Sequence, residues 1–163
     1  MTDYQELLRL LGESDVEFII VGGAAAAAHG SARLTLDLDV VYGRKSENIA
    51  RLVSALEPLQ PYLRGAPPGL PFEWTEETVI KGLNFALTTD LGALDLLGEL
   101  VGGGSYEDLV PDSLSLRVGG VDCLCLGLER LIAVKRAAGR PKDFEAIAEL
   151  EVIREERRVN SKP

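Results

Sequence analysis

Residues 16–42 constrain the fold more than any other stretch, because four distinct patterns follow one another there. The apolar run VEFIIV predicts a buried strand, and a glycine pair ends it. Five alanines come next. Alanine is the strongest helix former, and its small side chain favours a short helix packed closely on a sheet. In LTLDLDVVY, apolar and polar residues then alternate, which predicts a second strand. The order strand, turn, helix, strand therefore predicts an α+β fold.

The rest of the chain continues this mixture of helices and strands. Apolar spacing predicts a first helix over 3–12 and another that begins at Ser46 and ends before Pro58. Residues 58–75 hold five of the eight prolines and predict an irregular loop. Four further strands are predicted at 83–89, 93–97, 113–118 and 121–126, with Gly119-Gly120 as the last hairpin turn and carboxy-terminal helices at about 127–157.

Length and composition fit one folded domain. The chain has 163 residues, of which 46% are hydrophobic and 26% are charged. A chain of this length buries on the order of 70% of its unfolded surface, which is enough for a substantial core. We therefore predict a single domain over 1–163, in which helices flank a mixed β-sheet.

Net charge, the two cysteines and the absence of long apolar runs limit the partners and the cellular location that we expect. A formal net charge of −9 argues against a broad electrostatic grip on nucleic acid, so any such contact would be local or shared with a partner. Cys123 and Cys125 would share one strand face, which does not suit an intrachain disulfide and predicts buried thiols. The sequence contains no apolar run long enough to cross a bilayer and no signal-like start. We expect no membrane association and a cytoplasmic location.

Asp37 and Asp39 are the first candidates for chemistry. In a strand they would project from one face, with their Cα atoms about 6.6 Å apart. Two carboxylates at this spacing can share divalent cations, and ligands that are all oxygen favour Mg²⁺ or Mn²⁺. An isolated Asp-x-Asp is also typical of a solvated strand face, so the pair alone leaves both interpretations open.

Gly22-Gly23 and Asp95 add two further features. A glycine turn before a helix brings main-chain N–H groups close to a phosphate, although the same turn also serves packing. Asp95 lies in the apolar stretch GALDLLGEL, where an ionised carboxylate is costly unless it is paired or bound to metal. If its strand lies beside that of Asp39, the carboxylates form a cluster that can hold metal and accept a proton. On an edge strand, Asp95 would face water instead.

Together these residues resemble the signature of the nucleotidyltransferase superfamily: a glycine pair, the run Asp37-Leu38-Asp39, and Asp95 on a later strand. The residues from Arg33 to Asp39 are similar to the R-x-T-x-D-[IL]-D motif of bacterial AbiEii-like nucleotidyltransferases, which include toxins of toxin–antitoxin systems. Residues 135–143 resemble the helical K-x(4)-R-x-x-D element of the same group. The resemblance covers about residues 16–150.

The resemblance implies a role for each matching position. It implies triphosphate binding by Gly22 and Gly23, metal binding by Asp37, Asp39 and Asp95, a proton-accepting role for Asp95, and binding of the nucleotide phosphates by Lys135. Arg33 and Thr35 would either orient the loop before the aspartates or bind the nucleotide. Taken by themselves, Arg33 and Lys135 are also typical of solvated surface positions. Position 23 departs from the pattern, since many superfamily members have serine there. The 163 residues also hold no counterpart of the large carboxy-terminal domain of full-length AbiEii-type toxins.

The predicted function is metal-dependent transfer of a nucleoside monophosphate from an NTP to a hydroxyl acceptor, with Mg²⁺ or Mn²⁺ as cofactor. The acceptor is left open between RNA such as tRNA, a protein and a small molecule. The alternative is a catalytically weak nucleotide-binding or interaction module of a toxin–antitoxin pair, with an antitoxin as partner. His29 is expected to be a helix-end cation rather than a catalyst, and Trp74 to pack in the core or stack on a base. Asp143 either belongs to the nucleotide-binding element that the resemblance implies or forms an ordinary ion pair on a solvated surface.

Overall fold

The computed structural model describes residues 2–161. The helices are α1 Tyr4–Glu13, α2 Gly22–Ala28, α3 Ser46–Leu56, α4 Glu76–Lys81, α5 Tyr106–Leu109, α6 Leu128–Ala138 and α7 Asp143–Asn160. The strands are β1 Phe18–Val21, β2 Leu38–Tyr42, β3 Tyr62–Leu63, β4 Asn84–Thr89, β5 Gly92–Leu97, β6 Ser113–Val118 and β7 Val121–Leu126. Short 3₁₀ turns follow α3 and α5.

Within the described residues the strands form a seven-stranded mixed sheet in the order β3-β4-β5-β2-β1-β7-β6. β1 runs antiparallel to β2 and parallel to β7, and β2 runs parallel to β5. The outer strands β3, β4 and β6 are added by antiparallel pairing. The register places Asp39 between Val21 of β1 and Asp95 of β5. The topology therefore makes neighbours of two aspartates that lie far apart in the sequence.

The burial of each strand follows its place in the sheet. All four residues of β1 are buried, whereas β4 alternates exposed and buried residues. A strand that is covered on both faces reads as a continuous apolar run, and a strand with one solvated face alternates. The helices cover the sheet with apolar side chains, among them Leu7, Leu8 and Leu11 of α1, Ala24, Ala25 and Ala26 of α2, and Ile49 and Leu52 of α3.

The predicted α+β fold, with helices flanking a mixed sheet and helices at the carboxy-terminal end, is confirmed. Gly119 and Gly120 form the β6–β7 turn with φ angles of +60° and +83°. Cys123 and Cys125 are buried and unlinked, as expected. Among residues 2–161, none of the helices combines the length and the apolar character that a bilayer crossing requires.

The predicted second strand is shorter than its alternating pattern suggested. β2 begins at Leu38, and residues 32–36 before it are irregular. Leu34 and Leu36 are 87% and 72% exposed, so they do not belong to a buried face. Asp37 consequently lies just before the strand rather than within it. Alternation alone does not report whether a neighbouring strand is present to pair with each residue.

Two further segments differ from the sequence-based prediction. Residues 58–75, predicted as loop, include β3, which pairs with β4 through the register Leu63↔Leu87. Helix α4 was not predicted; Thr75 caps it by accepting a hydrogen bond from the Thr78 N–H. At the carboxy-terminal end, α7 continues to Asn160 instead of ending at Arg157. The sequence VNSKP at the end predicts frayed residues over 159–163; Val159 and Asn160 belong to α7, and Lys162 and Pro163 lie outside the described residues.

His29 joins three elements at the end of α2. It is 4% exposed, its Nε2 lies 2.8 Å from the Leu126 carbonyl oxygen, and its Nδ1 lies 3.1 Å from an Arg157 nitrogen. Because the guanidinium can only donate, Nδ1 accepts and Nε2 carries the proton. Burial lowers the pKa of His29, and Arg157 lowers it further. The expectation of a helix-end cation is therefore wrong: a neutral imidazole links α2, β7 and α7.

We expect this histidine to make the fold sensitive to acid. An unfolded His29 gains a proton near pH 6.5, whereas the folded one gains it only at lower pH. Its contribution to stability is therefore complete above about pH 6.5 and is lost as the pH falls through the lowered folded pKa. Urea unfolding at pH 7.5 and 5.5 should show a smaller acid-induced loss of stability for His29→Gln than for the parent protein. Equal losses in the two proteins would contradict the assignment.

Candidate active site

Asp37, Asp39 and Asp95 converge at one edge of the β2–β5 pair. One carboxylate oxygen from each lies within 4.8 Å of those of the other two. Asp39 and Asp95 are direct partners in the parallel register, and Asp37 reaches the cluster from the residue before β2. The condition left open by the sequence, that the strand of Asp95 lies beside that of Asp39, is met.

The glycine pair makes room for the side chains next to it. Gly22 has a φ angle of +63°, and a Cβ at this position would collide with the Asp39 carboxylate. A Cβ on Gly23 would lie 2.5 Å from the Thr35 hydroxyl oxygen. Both positions therefore require glycine for local packing, whether or not a ligand is present. The turn brings α2 against the segment that carries the aspartates.

Asp37 is held in place through its backbone. The Thr35 hydroxyl donates to the Asp37 carbonyl oxygen at 3.1 Å. The Tyr4 hydroxyl lies 2.6 Å from the carbonyl oxygen of Thr35 and 3.3 Å from that of Asp37. Thr2 adds a bond of 2.7 Å to the Leu36 carbonyl oxygen. Sequence reasoning missed both amino-terminal residues, because nothing in their spacing shows that they contact residues 35–37.

Asp39 is the electrostatically unusual member of the triad. Burial, together with the neighbouring carboxylates of Asp95 and Asp37, raises its pKa to about 7, and Arg64 opposes the rise. Its Oδ1 is buried and has no hydrogen-bond partner among residues 2–161. An unpartnered carboxylate oxygen beside two like charges is a site that a cation would stabilise. The all-oxygen donor set fits Mg²⁺ or Mn²⁺.

Arg64 is a charged neighbour of the triad that sequence reasoning did not identify. It directly follows β3, and its guanidinium contacts Asp95 Oδ1 closely and lies 3.8 Å from Asp37 Oδ1. Its backbone N–H donates to the Ala86 carbonyl oxygen at 2.9 Å. The residue lies within the proline-rich stretch 58–75, which the sequence predicts to be a loop. Only its placement beside β4 and β5 relates it to the aspartates.

Lys135 lines a cleft of about 390 Å³ together with Asp39 and Asp95 of the triad. The cleft is lined by Gly22, Asp39, Asn84, Asp95, Leu97, Glu99, Leu100, Val101, Leu131, Val134, Lys135, Ala138 and Arg140, together with Val21. Burial lowers the pKa of Lys135, and Asp143 partly offsets this effect. A half-buried ammonium group in the same cleft as the carboxylates suits a ligand that carries negative charge into it.

Asp143 lies at the start of α7 and is 3% exposed. Arg140 donates two hydrogen bonds to its carboxylate, of 2.8 and 3.2 Å. The K-x(4)-R-x-x-D pattern thus contributes a cation to the cleft and a two-pronged pair that fixes the α6–α7 connection. Asp143 therefore forms an ion pair, but in a buried position rather than on a solvated surface.

Two other sequence candidates lie away from the triad. Arg33 forms an exposed ion pair of 3.5 Å with Glu145 and lines a separate cavity of about 110 Å³, which Gly23, Thr35 and Lys135 also line. Trp74 donates from its indole nitrogen to the Val53 carbonyl oxygen at 3.1 Å and packs edge-on against Phe85. It packs against the core, and this contact leaves the proposed stacking on a base without support.

No family model matches the sequence, and neither does any curated protein. Two solved structures share the fold. One is the lincosamide antibiotic adenylyltransferase LnuA in its lincomycin-bound form, with 15% identity and a TM-score of 0.60, over 94% of this chain and 98% of that one. The other is the antibiotic-resistance factor ANT(2'')-Ia, with 17% identity and a TM-score of 0.55, over 95% of this chain and 89% of that one. The nucleotidyltransferase-like fold is thereby confirmed, and membership of the superfamily and of its AbiEii-like subgroup stays a prediction.

In metal-free buffer, we expect Asp39→Asn to stabilise the protein at pH 8. Folding holds the pKa of Asp39 near 7, well above its unfolded value, so ionised Asp39 costs stability as the pH rises from about 4 to 7. Removing that charge should add about 1–3 kcal/mol, the usual cost of an unpartnered buried polar group. Urea unfolding in EDTA at pH 8 and pH 5 measures the gain, which should shrink at the lower pH.

Asp122→Asn is the matched control, because Asp122 is 72% exposed and only forms a surface ion pair with Arg117. Exposed pairs of this kind contribute little to stability. The control should therefore unfold like the parent protein at both pH values. A loss of stability in Asp39→Asn at pH 8 would show that the Asp39 carboxylate is stabilised by its surroundings rather than strained.

Proposed function

We propose that this protein is a metal-dependent nucleotidyltransferase, which moves a nucleoside monophosphate from a nucleoside triphosphate to an acceptor hydroxyl group, and that residues 1–163 act as one catalytic unit. The observation that carries the proposal is the convergence of Asp37, Asp39 and Asp95 within 4.8 Å, on a fold shared with an adenylyltransferase. The unpartnered Asp39 oxygen supports a cation site over a purely structural cluster.

The three aspartates would hold Mg²⁺ or Mn²⁺. When bound, the cation neutralises charge on the transferring phosphoryl group and on the departing pyrophosphate. Asp39 supplies the most buried ligand, and the close packing of Gly22 keeps its carboxylate pointed at the cluster. Asp37 is the most exposed of the three, with 43% of its side chain exposed, and the bonds from Tyr4 and Thr35 fix its backbone.

The proposed reaction is an in-line displacement at the α-phosphorus. A bond forms from the acceptor oxygen to phosphorus, the bond to the bridging oxygen of the leaving group breaks, and pyrophosphate departs with its electron pair. The hydroxyl proton passes to Asp95 and then to water. Asp95 suits this role because it lines the cleft and 23% of its side chain is exposed.

The same cleft offers cations for the triphosphate. Lys135 lines it with Asp39 and Asp95 and would bind phosphate oxygens, and Arg140 also lines it. Gly22 and Gly23 would contribute main-chain N–H groups, and Arg33 would approach from the adjoining cavity that Gly23 also lines. The Thr35 hydroxyl donates its hydrogen bond to the Asp37 carbonyl oxygen, so we assign Thr35 to positioning the metal ligand rather than to direct nucleotide contact.

For the acceptor we propose a small hydroxylated molecule. The cleft volume of about 390 Å³, its apolar wall and the net charge of −9 favour such a compound over an unaided RNA. LnuA, which shares the fold, is an adenylyltransferase of lincosamide antibiotics. This likeness supports an acceptor of comparable size for the present chain.

The sequence also supports a second candidate function, as the toxin of a toxin–antitoxin pair. The Arg33-to-Asp39 run resembles AbiEii-like toxins, which supports a cytoplasmic toxin that modifies RNA or a protein and is held by an antitoxin. Label incorporation into tRNA, into protein, or into a panel of hydroxylated small molecules separates these acceptors. A protein that binds nucleotides yet transfers no label to any of them would instead be the weakly active module of such a pair.

Asp37→Ala and Asp39→Ala should each lower Mg²⁺-dependent transfer from an α-labelled NTP by about a hundredfold or more, since metal-based charge stabilisation supplies several kcal/mol. Label transfer is followed with each of the four NTPs, and circular dichroism verifies that the variants fold. Asp122→Ala on the distant hairpin is the control and should retain parental activity. Full transfer by either triad variant would refute the proposed mechanism.

Lys135→Met should weaken NTP binding by about tenfold to a hundredfold, because a charge-assisted hydrogen bond to phosphate is lost while the apolar stem is kept. The rise of the unfolding temperature with NTP concentration in Mg²⁺ gives the affinity. Lys81→Met is the control, since Lys81 is 75% exposed and pairs only with Glu77 on α4. The same NTP affinity in Lys135→Met and in the parent protein would exclude Lys135 from the nucleotide site.

A further inference from the structure

We propose that Arg64 competes with the divalent cation for the Asp95 carboxylate and thereby sets the metal affinity of the site. The inference rests on the proposed function for the identity of that site. In the metal-free protein Arg64 is the built-in counter-ion of the triad, and it exchanges its place on Asp95 for the metal. It is a positioning residue, because it acts on a metal ligand rather than on the reacting atoms.

The guanidinium occupies the oxygens that a cation needs. Its Nη2 is in close contact with Asp95 Oδ1, and its Nη1 lies 3.8 Å from Asp37 Oδ1. Two members of the triad are therefore bridged by one planar group with hydrogen-bond donors on both arms. A divalent cation held by the same carboxylates would lie against this positive group. The guanidinium and a divalent cation on the same carboxylates repel each other, so binding of one weakens binding of the other.

The charges near the triad leave this role to Arg64. Three carboxylates converge within 4.8 Å, and among residues 2–161 Arg64 is the cation that forms ion pairs with them. Lys135 lines the same cleft but forms no ion pair with the triad in the described residues. Arg64 bridges Asp37 and Asp95 and leaves Asp39 Oδ1 unpartnered. It therefore relieves the repulsion only in part, and the remaining charge keeps the site attractive to a stronger cation.

Arg64 can move without disturbing the sheet. Its backbone is fixed by the N–H bond to Ala86 and by the neighbouring Leu63↔Leu87 register. Its side chain is 30% exposed, and the chain turns away directly afterwards at Gly65, where φ is +79°. The guanidinium also donates a long bond of 3.4 Å to the Leu87 carbonyl oxygen. Rotation of the side chain to solvent thus breaks a small set of contacts and leaves β3 in place.

The experiment compares Mg²⁺ binding by the parent protein and by Arg64→Gln, with isothermal titration calorimetry and unfolding in EDTA as readouts. Arg64→Gln should be less stable than the parent in EDTA and should bind Mg²⁺ about tenfold more tightly, within the usual range of coupling between two binding events. The stability gap should narrow at saturating Mg²⁺, because the metal replaces the missing counter-ion. A side chain that only supported the fold would weaken metal binding when removed.

Two further variants complete the design. Arg64→Lys keeps the charge without the two-armed geometry and should show a smaller increase in affinity; it also serves if Arg64→Gln does not fold. Arg117→Gln is the control, because Arg117 is 68% exposed and pairs with Asp122 on the β6–β7 hairpin. It should leave Mg²⁺ affinity unchanged.

The outcomes separate this inference from the proposed function. Equal or weaker Mg²⁺ binding in Arg64→Gln, with binding abolished in Asp39→Asn, would overturn the role of Arg64 and leave the metal site standing. Absence of Mg²⁺ binding in the parent and in every variant would overturn the proposed function, and this inference with it.

Discussion

The parallel pairing of β2 with β5 is the interaction on which the rest of the site depends. It sets Asp39 directly beside Asp95 at a point where the flanking residues Leu38 and Leu94 are fully buried. Apolar contacts on the sheet thus hold two like charges together, although the charges by themselves would drive the strands apart. Burial of Leu or Val side chains contributes about 1.5–3 kcal/mol each, enough for the core to support the strain.

Around this pair the chain adds elements that adjust its geometry. Gly22 lets β1 and α2 approach Asp39, and the amino-terminal residues tie the irregular segment before β2 to β5. Thr2 does this directly: its hydroxyl donates to the Leu36 carbonyl oxygen and accepts from the Ala93 N–H. The position of Asp37 therefore depends on the amino-terminal residues Thr2 and Tyr4 as well as on strand β2, which follows it.

The sequence predicted the parts of the site that carry their own local pattern. Asp95 is recognisable because an ionised carboxylate in an apolar run is costly unless it is paired or bound to metal. The glycine pair is recognisable because it lies between a predicted strand and a predicted helix. Arg64 and Tyr4 carry no such pattern, since an arginine in a proline-rich segment and a tyrosine on an amphipathic helix are ordinary. Their importance arises from contacts between distant segments. The strand prediction was wrong at Leu34 and Leu36 for a related reason. Periodicity shows which residues can share a face, but it does not show whether another element covers that face.

The close approach of Gly23 to Thr35 also bears on how such sites diversify. A side chain at position 23 would meet the threonine hydroxyl at 2.5 Å, so the two residues divide one small volume between them. The serine that many superfamily members carry at this turn would need a smaller neighbour at position 35 or a displaced segment before the first aspartate. We therefore expect positions 23 and 35 to vary together during evolution, so that a larger side chain at one position is accompanied by a smaller side chain at the other.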